Sequence, residues 1–111
     1  MVRRVHAHKD ILSVLSRAKP NLRRAILEQL DRPTVDAICE ICHNLVAGAV
    51  PLTPSKKSKL SKHKKVLRQL AQRGEGWKQK KKVLRQKGGA FLPVLLGTVL
   101  SSLLGSIFSR Q

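Results

Sequence analysis

From Gly88 to Ser109 the chain runs 22 residues without a charged side chain, directly after the most basic stretch it contains. A helix of that length rises 1.5 Å per residue and can cross a hydrocarbon core of about 30 Å. On a soluble protein such a segment has to be buried in lipid or against another chain. Gly88, Gly89, Pro93, Gly97, Thr98, Ser101, Ser102, Gly105 and Ser106 make it less apolar than a typical span. A membrane-active or capsid-packed helix therefore fits it as well as a spanning one. Gly97, Ser101 and Gly105 recur every fourth position, the small-residue spacing that lets helices pack closely. If the segment does span, the adjoining cations stay on the cytosolic face.

Those cations are the second constraint. The 111 residues hold 23 Lys and Arg against 6 Asp and Glu, a formal charge of +17, which calls for a polyanionic partner. Residues 1–54 carry 8 basic and 5 acidic side chains, residues 55–87 carry 14 and 1, and residues 88–111 carry 1 and 0. One Trp, two Phe and no Tyr leave no aromatic platform for stacking bases, so the partner is read by charge. The chain can form one small core at most. No nucleophile–base pair or carboxylate pair stands out, so no enzymatic activity and no cofactor are expected. Val2 to His8 is basic and no apolar stretch of sufficient length follows, so a secretory signal is not expected and the chain starts in the cytosol or nucleus.

The expected fold is all-α. Three units follow from the composition: a small helical domain over 1–50, a basic helical region over 51–87 hinged at Gly74–Gly76, and the apolar tail over 88–111. In the first unit Ile11, Leu12, Val14, Leu15 and Ala18 repeat at helical spacing until Lys19-Pro20 interrupts them. A second helix, Pro20 to Leu30, turns Leu22, Ala25, Ile26 and Leu30 inward and Arg23, Arg24, Glu28 and Gln29 to water. After Asp31-Arg32-Pro33, a third helix carries Val35, Ala37, Ile38, Ile41, Cys42, Leu45 and Val46 and frays near Gly48. Three such helices make a small bundle.

Cys39-Glu40-Ile41-Cys42-His43 matches the C-x-x-C-H pattern of covalent haem attachment. Haem attachment needs export, and the only Met to act as an axial ligand is Met1. For zinc the pair supplies two ligands, and only His6, His8, His43 and His63 are left to complete a site. Both thiols are accordingly expected reduced and mostly buried, and no metal is assigned.

In the basic region Thr53 is the expected N-cap and Pro54 the first helical residue. Lys56, Lys57, Lys59, Lys62, Lys64, Lys65 and Arg68 surround a narrow apolar line of Leu60, Leu67, Leu70 and Ala71. Such a helix repels itself and is stabilised when phosphates neutralise it. Arg73 precedes the glycine break, and Lys78, Lys80, Lys81, Lys82, Arg85 and Lys87 follow it. Lys64-Lys65-Val66-Leu67-Arg68-Gln69 recurs 17 residues later as Lys81-Lys82-Val83-Leu84-Arg85-Gln86. Two copies of one basic hexamer read as two phosphate-gripping units without base-specific contacts. Lys outnumbers Arg among them, which favours point-charge contact over bidentate guanine readout. A nuclear-localisation signal over Lys56 to Lys65 is the plainer reading of the same run.

The basic run passes into the tail through Leu84-Arg85-Gln86-Lys87-Gly88-Gly89-Ala90-Phe91-Leu92-Pro93-Val94-Leu95-Leu96. This junction resembles the precursor of the adenoviral core protein X family, over about residues 78 to 100. Most of the chain, from Lys19-Pro20-Asn21-Leu22-Arg23 through Val50-Pro51-Leu52-Thr53 to the Gly-Gly and tail, is similar to small basic proteins of Polinton-type elements and adintoviruses. The resemblance implies a DNA-condensing virion component whose Gly89-Ala90 bond is cut by a viral cysteine protease, with Gln86, Gly88, Gly89 and Ala90 as the processing positions. Gln72-Arg73-Gly74-Glu75-Gly76 matches a second form of such a site. Side-chain-free glycines in an unstructured break let a protease close on the backbone, whereas a hinge and helix terminators account for the same glycines without cleavage.

The function expected from sequence is a non-enzymatic structural protein of a virus or virus-like element, found in the virion and host nucleus. It grips the phosphate backbone of double-stranded DNA, while its tail contacts capsid protein or membrane, and it has scope for self-association. The alternative is a small tail-anchored or membrane-disrupting protein on the cytosolic face of a membrane, its polybasic stretch bound to anionic headgroups. A small RNA-binding or ribosome-associated protein fits the charge and leaves the tail unexplained.

Overall fold

The computed structural model describes residues 2–72, 74 and 76–108, with side chains for residues 4–72, 74 and 76–100. Among the described residues the chain is helical throughout, with no strand. In order the helices are α1 (Val2–Ala7), α2 (Lys9–Arg17), α3 (Pro20–Glu28), α4 (Arg32–Val46), α5 (Pro54–Ser61), α6 (Lys64–Ala71) and α7 (Trp77–Phe108).

Local chemistry sets most of these boundaries. Lys19 is held extended before Pro20, which then opens α3. The Thr34 amide donates to Asp31 Oδ1 at 3.0 Å to cap α4, and the Lys56 amide donates to Thr53 Oγ1 at 3.3 Å to cap α5. At the far end of α4, Gly48 adopts φ +76°. Its amide donates to Leu45 O and the Ala49 amide to Asn44 O, a glycine-closed terminus in place of fraying. The basic helix is not continuous: it breaks at Lys62-His63 into α5 and α6. Gly74, at φ +97°, lies in the connection to α7.

The largest departure from expectation is α7. It runs unbroken through Gly88, Gly89 and Pro93, so the second basic run and the apolar segment are one 32-residue helix. Leu84, Phe91, Leu92, Leu95, Leu96 and Val99 are fully buried. They share one core with Leu12 and Leu15 of α2, Leu27 of α3, Val35, Ile38, Ile41 and Cys42 of α4, and Leu60 and Leu70 of α5 and α6. The apolar run up to Val99 is thus buried within its own chain, and no described helix is long and apolar enough to cross a membrane. The three compositional units are not packing units. A radius of gyration of 13.0 Å matches one compact body of this length. Residues 1–50 hold four helices, and α2 and α3 pack chiefly on α7 in place of a self-contained three-helix bundle.

α3 is rotated from its expected register. Leu22 is 53% exposed, whereas Arg23 is buried at 8%. The Arg23 guanidinium donates from Nε to Leu15 O at 3.0 Å, from Nη2 to Ala18 O, and from Nη1 to Gly89 O at 3.1 Å. The first two acceptors belong to the C-terminal turn of α2, whose carbonyls have no helical donor. The third has a specific cause. In a helix the amide of residue 93 bonds the carbonyl of residue 89, and Pro93 has no amide hydrogen. Arg23 therefore supplies the donor that Pro93 removes, and ties α2, α3 and α7 together at one point. Beside it a Cβ on Gly88 would stand 3.2 Å from Leu27 Cδ1, so a bare backbone lets α3 approach α7.

Candidate nucleic-acid interface

Every basic residue from Lys56 to Lys87 whose side chain is described lies outside the core. Lys57, Lys59, Lys62, Lys64, Lys65, Arg68, Lys78, Lys82, Arg85 and Lys87 are exposed, and Lys56, Lys80 and Lys81 are half-buried. Arg73 lies outside the described residues. The burial pattern explains the placement: Leu60, Leu70, Ala71, Val83 and Leu84 turn inward, and the cations take the rest of each helix surface. Val66, absent from the expected apolar line, also packs against the core. Two ion pairs, Arg4–Glu40 at 2.6 Å and Arg32–Asp36 at 3.7 Å, belong to the N-terminal helices. Lys81 Nζ lies 5.7 Å from the centre of the Trp77 ring, within cation–π range.

The cations do not form one patch. α3 and α6 both pack on α7, and neither packs chiefly on the other. Between α3 and α7 is a cleft of about 420 Å³ lined by Arg24, Leu27, Glu28, Lys78, Lys82, Arg85 and Gln86. On the flank of α5 and α6, Lys57 and Lys64 border a groove of about 500 Å³ floored by Leu45, Val50, Leu52, Leu60 and Leu67. The second hexamer therefore contributes to a charged cleft, and the first to the edge of an apolar groove. Arg24 and Glu28 are the charged cleft residues that sequence reasoning left as a plain water-facing surface. The signal was the alternative α3 register Arg23, Leu27, Leu30, spaced i, i+4 and i+7, which has a charge at one inward position.

Gln86, Gly88, Gly89 and Ala90 are helical, with Gly88 buried and the other three exposed. The extended break expected at this junction is replaced by helix because Leu84 and Phe91 on either side are both in the core. Of the small-residue positions, Gly97 faces α2, where an added Cβ would meet Ser16 Oγ at 4.0 Å. The side chains at Ser101 and Gly105 lie outside the described residues.

Cys39 and Cys42 are reduced and buried on α4. Burial pushes the Cys39 thiol up to about 11, against a smaller opposing pull from Lys80, and drives Cys42 well above the usual thiol range. Neither is poised as a nucleophile or a thiolate ligand. His43 borders the same cleft as Cys39 and Glu40, while the His63 ring packs on Phe91 with centroids 5.9 Å apart. Among the described residues no three ligand-type side chains converge on a metal position. Comparisons with family models, with characterised proteins and with solved structures return no match.

Proposed function

We propose that this chain is a non-enzymatic structural protein of a virus or virus-like element that binds double-stranded DNA through its phosphates. The observation that carries the reading is the outward placement of twelve cations from Lys57 to Lys87, none of them in the Arg4–Glu40 or Arg32–Asp36 pair. A helical body that gathers unneutralised charge on two flanks of one central helix repels itself and gains stability from a polyanion. Lysine-rich convex helices meet a backbone as point charges and do not read base edges. The viral assignment rests on the resemblance of the Gly-Gly junction and its flanks. Cleavage after Gly89 belongs to the same proposal, and it would cut α7 between Leu84 and Phe91, so a protease would act on an opened form. Capsid or membrane contact by the end of α7 is likewise part of this proposal, with a nuclear and virion location.

The test is duplex binding against salt. With about 6–10 phosphates neutralised, affinity falls roughly 10³–10⁵-fold between about 50 and 200 mM salt, independent of base sequence. A flat salt response, or binding to anionic vesicles that exceeds binding to duplex DNA at equal charge, would move the assignment to the membrane-surface alternative.

A further inference from the structure

The α3–α7 cleft differs from the rest of the basic surface in being concave and built by two helices. Lys78, Lys82 and Arg85 share one face of α7 at i, i+4 and i+7, and Arg24 of α3 stands in the same cleft. Four cations less the Glu28 carboxylate leave three net positive charges around about 420 Å³. Neither described ion pair involves any of them. Like charges held this way on one helix face repel, and a walled cleft raises their effect on an anion compared with an open surface. The walls are fixed by packing: Leu27 is buried against α7, and Arg23, next to Arg24, is bonded to Gly89 O. Arg24 and Arg85 bring planar forks suited to phosphate oxygens.

We propose that this cleft is a discrete site for a multiply charged phosphate group, a terminal phosphomonoester or an oligophosphate. A backbone phosphodiester carries a single charge and satisfies the lone lysines of α5 and α6, whereas the cleft offers enough charge for two or three. Glu28 opposes a bound anion in proportion to that anion's charge, so the four cations have to outweigh this one carboxylate. The site deepens the phosphate-binding function proposed above and rests on it for its biological ligand.

The hexamer repeat supplies a matched control. Lys82 and Arg85 in the second copy correspond to Lys65 and Arg68 in the first, which line neither the α3–α7 cleft nor the groove beside α5 and α6. The full chain is titrated with tripolyphosphate by calorimetry, with folding checked by circular dichroism. K82Q/R85Q and R24Q should each weaken binding about tenfold or more, the loss of charge-assisted contacts, while K65Q/R68Q changes it less than about twofold and E28Q strengthens it. Equal losses in the two double variants would overturn the site, since charge density alone would then explain binding. Duplexes with and without a 5′-phosphate identify the source. A preference for the phosphorylated end that K82Q/R85Q abolishes points to a nucleic-acid terminus, and tripolyphosphate binding without that preference points to a free oligophosphate. If tripolyphosphate binds as expected and duplex DNA does not bind, the DNA reading fails and the cleft stands. If duplex DNA binds and the two double variants behave alike, the cleft fails and the DNA reading stands.

Discussion

The two copies of Lys-Lys-Val-Leu-Arg-Gln are one sequence in two settings. Both are helical, and both turn Val and Leu toward the core and the cations outward. The first occupies the eight-residue α6, where Val66 and Leu67 are half-buried; the second lies within α7, where Val83 and Leu84 are buried. Six residues therefore determine helix and face. Depth comes from what lies beyond them: after Gln69 the helix lasts two residues, whereas after Gln86 it continues through Phe91, Leu92 and Leu95 into the core. The same surroundings decide that Lys82 and Arg85 overlook a cleft and Lys65 and Arg68 open solvent.

That contrast can be broken by matched truncation. Leu84→Ala should cost about 3 kcal/mol by loss of apolar contact and cavity formation, and Leu67→Ala about 1 kcal/mol. Urea unfolding measures both, and equal losses would mean that the two copies are buried alike. Next in size is Arg23→Met, which leaves the carbonyls of Leu15, Ala18 and Gly89 without their donor. It should destabilise by about 2 kcal/mol. It should also weaken tripolyphosphate binding at the α3–α7 cleft without altering the α6 flank.

Asp31→Ala acts on α4, the helix on which α6 leans, and should cost about 1 kcal/mol. The bonds from Thr34 hold the Asp31 carboxyl below its ordinary value of 3.8. The cap is therefore fully effective above that value and is lost as the pH falls below it, so wild type and variant should converge in acid. Thermal unfolding from neutral to acid pH checks this. The smallest effect separates the paired glycines. An added Cβ at Gly89 meets nothing within 4 Å, so Gly89→Ala should stabilise α7 by roughly 0.5–1 kcal/mol. Gly88→Ala should forgo that gain, because its Cβ lies 3.2 Å from both Leu27 Cδ1 and Leu92 Cδ1. Stabilisation by both would show that α3 does not need the bare backbone at Gly88.

Helix starts were legible in the sequence because they depend on neighbours along the chain. Pro20, Asp31 and Thr53 with Pro54 each mark one, through a fixed φ or a side-chain oxygen set within three residues of an orphan amide. The glycine positions were read less well. Gly48 and Gly74 do end or separate helices, but Gly88 and Gly89 do not, since a glycine can serve a turn or a close approach and its local sequence does not distinguish the two. The inward face of α3 was misjudged because a buried arginine is unfavourable unless acceptors are waiting for it, and those acceptors lie on α2 and α7.

By itself the sequence determined that this chain is helical, strongly basic between Lys56 and Lys87, and obliged to bury the apolar run that follows. These are consequences of periodicity, charge count and hydration, and each is local. The tertiary structure alone decided where that run goes as far as Val99: into a core shared by the N-terminal helices, with the Gly89 carbonyl freed by Pro93 bonded to Arg23. It also decided that Lys82 and Arg85 of one repeated hexamer line a basic cleft against α3, while Lys64 and Leu67 of the other border an apolar groove. Burial and charge convergence depend on residues far apart in sequence, and only the packed helices bring them within reach of one another.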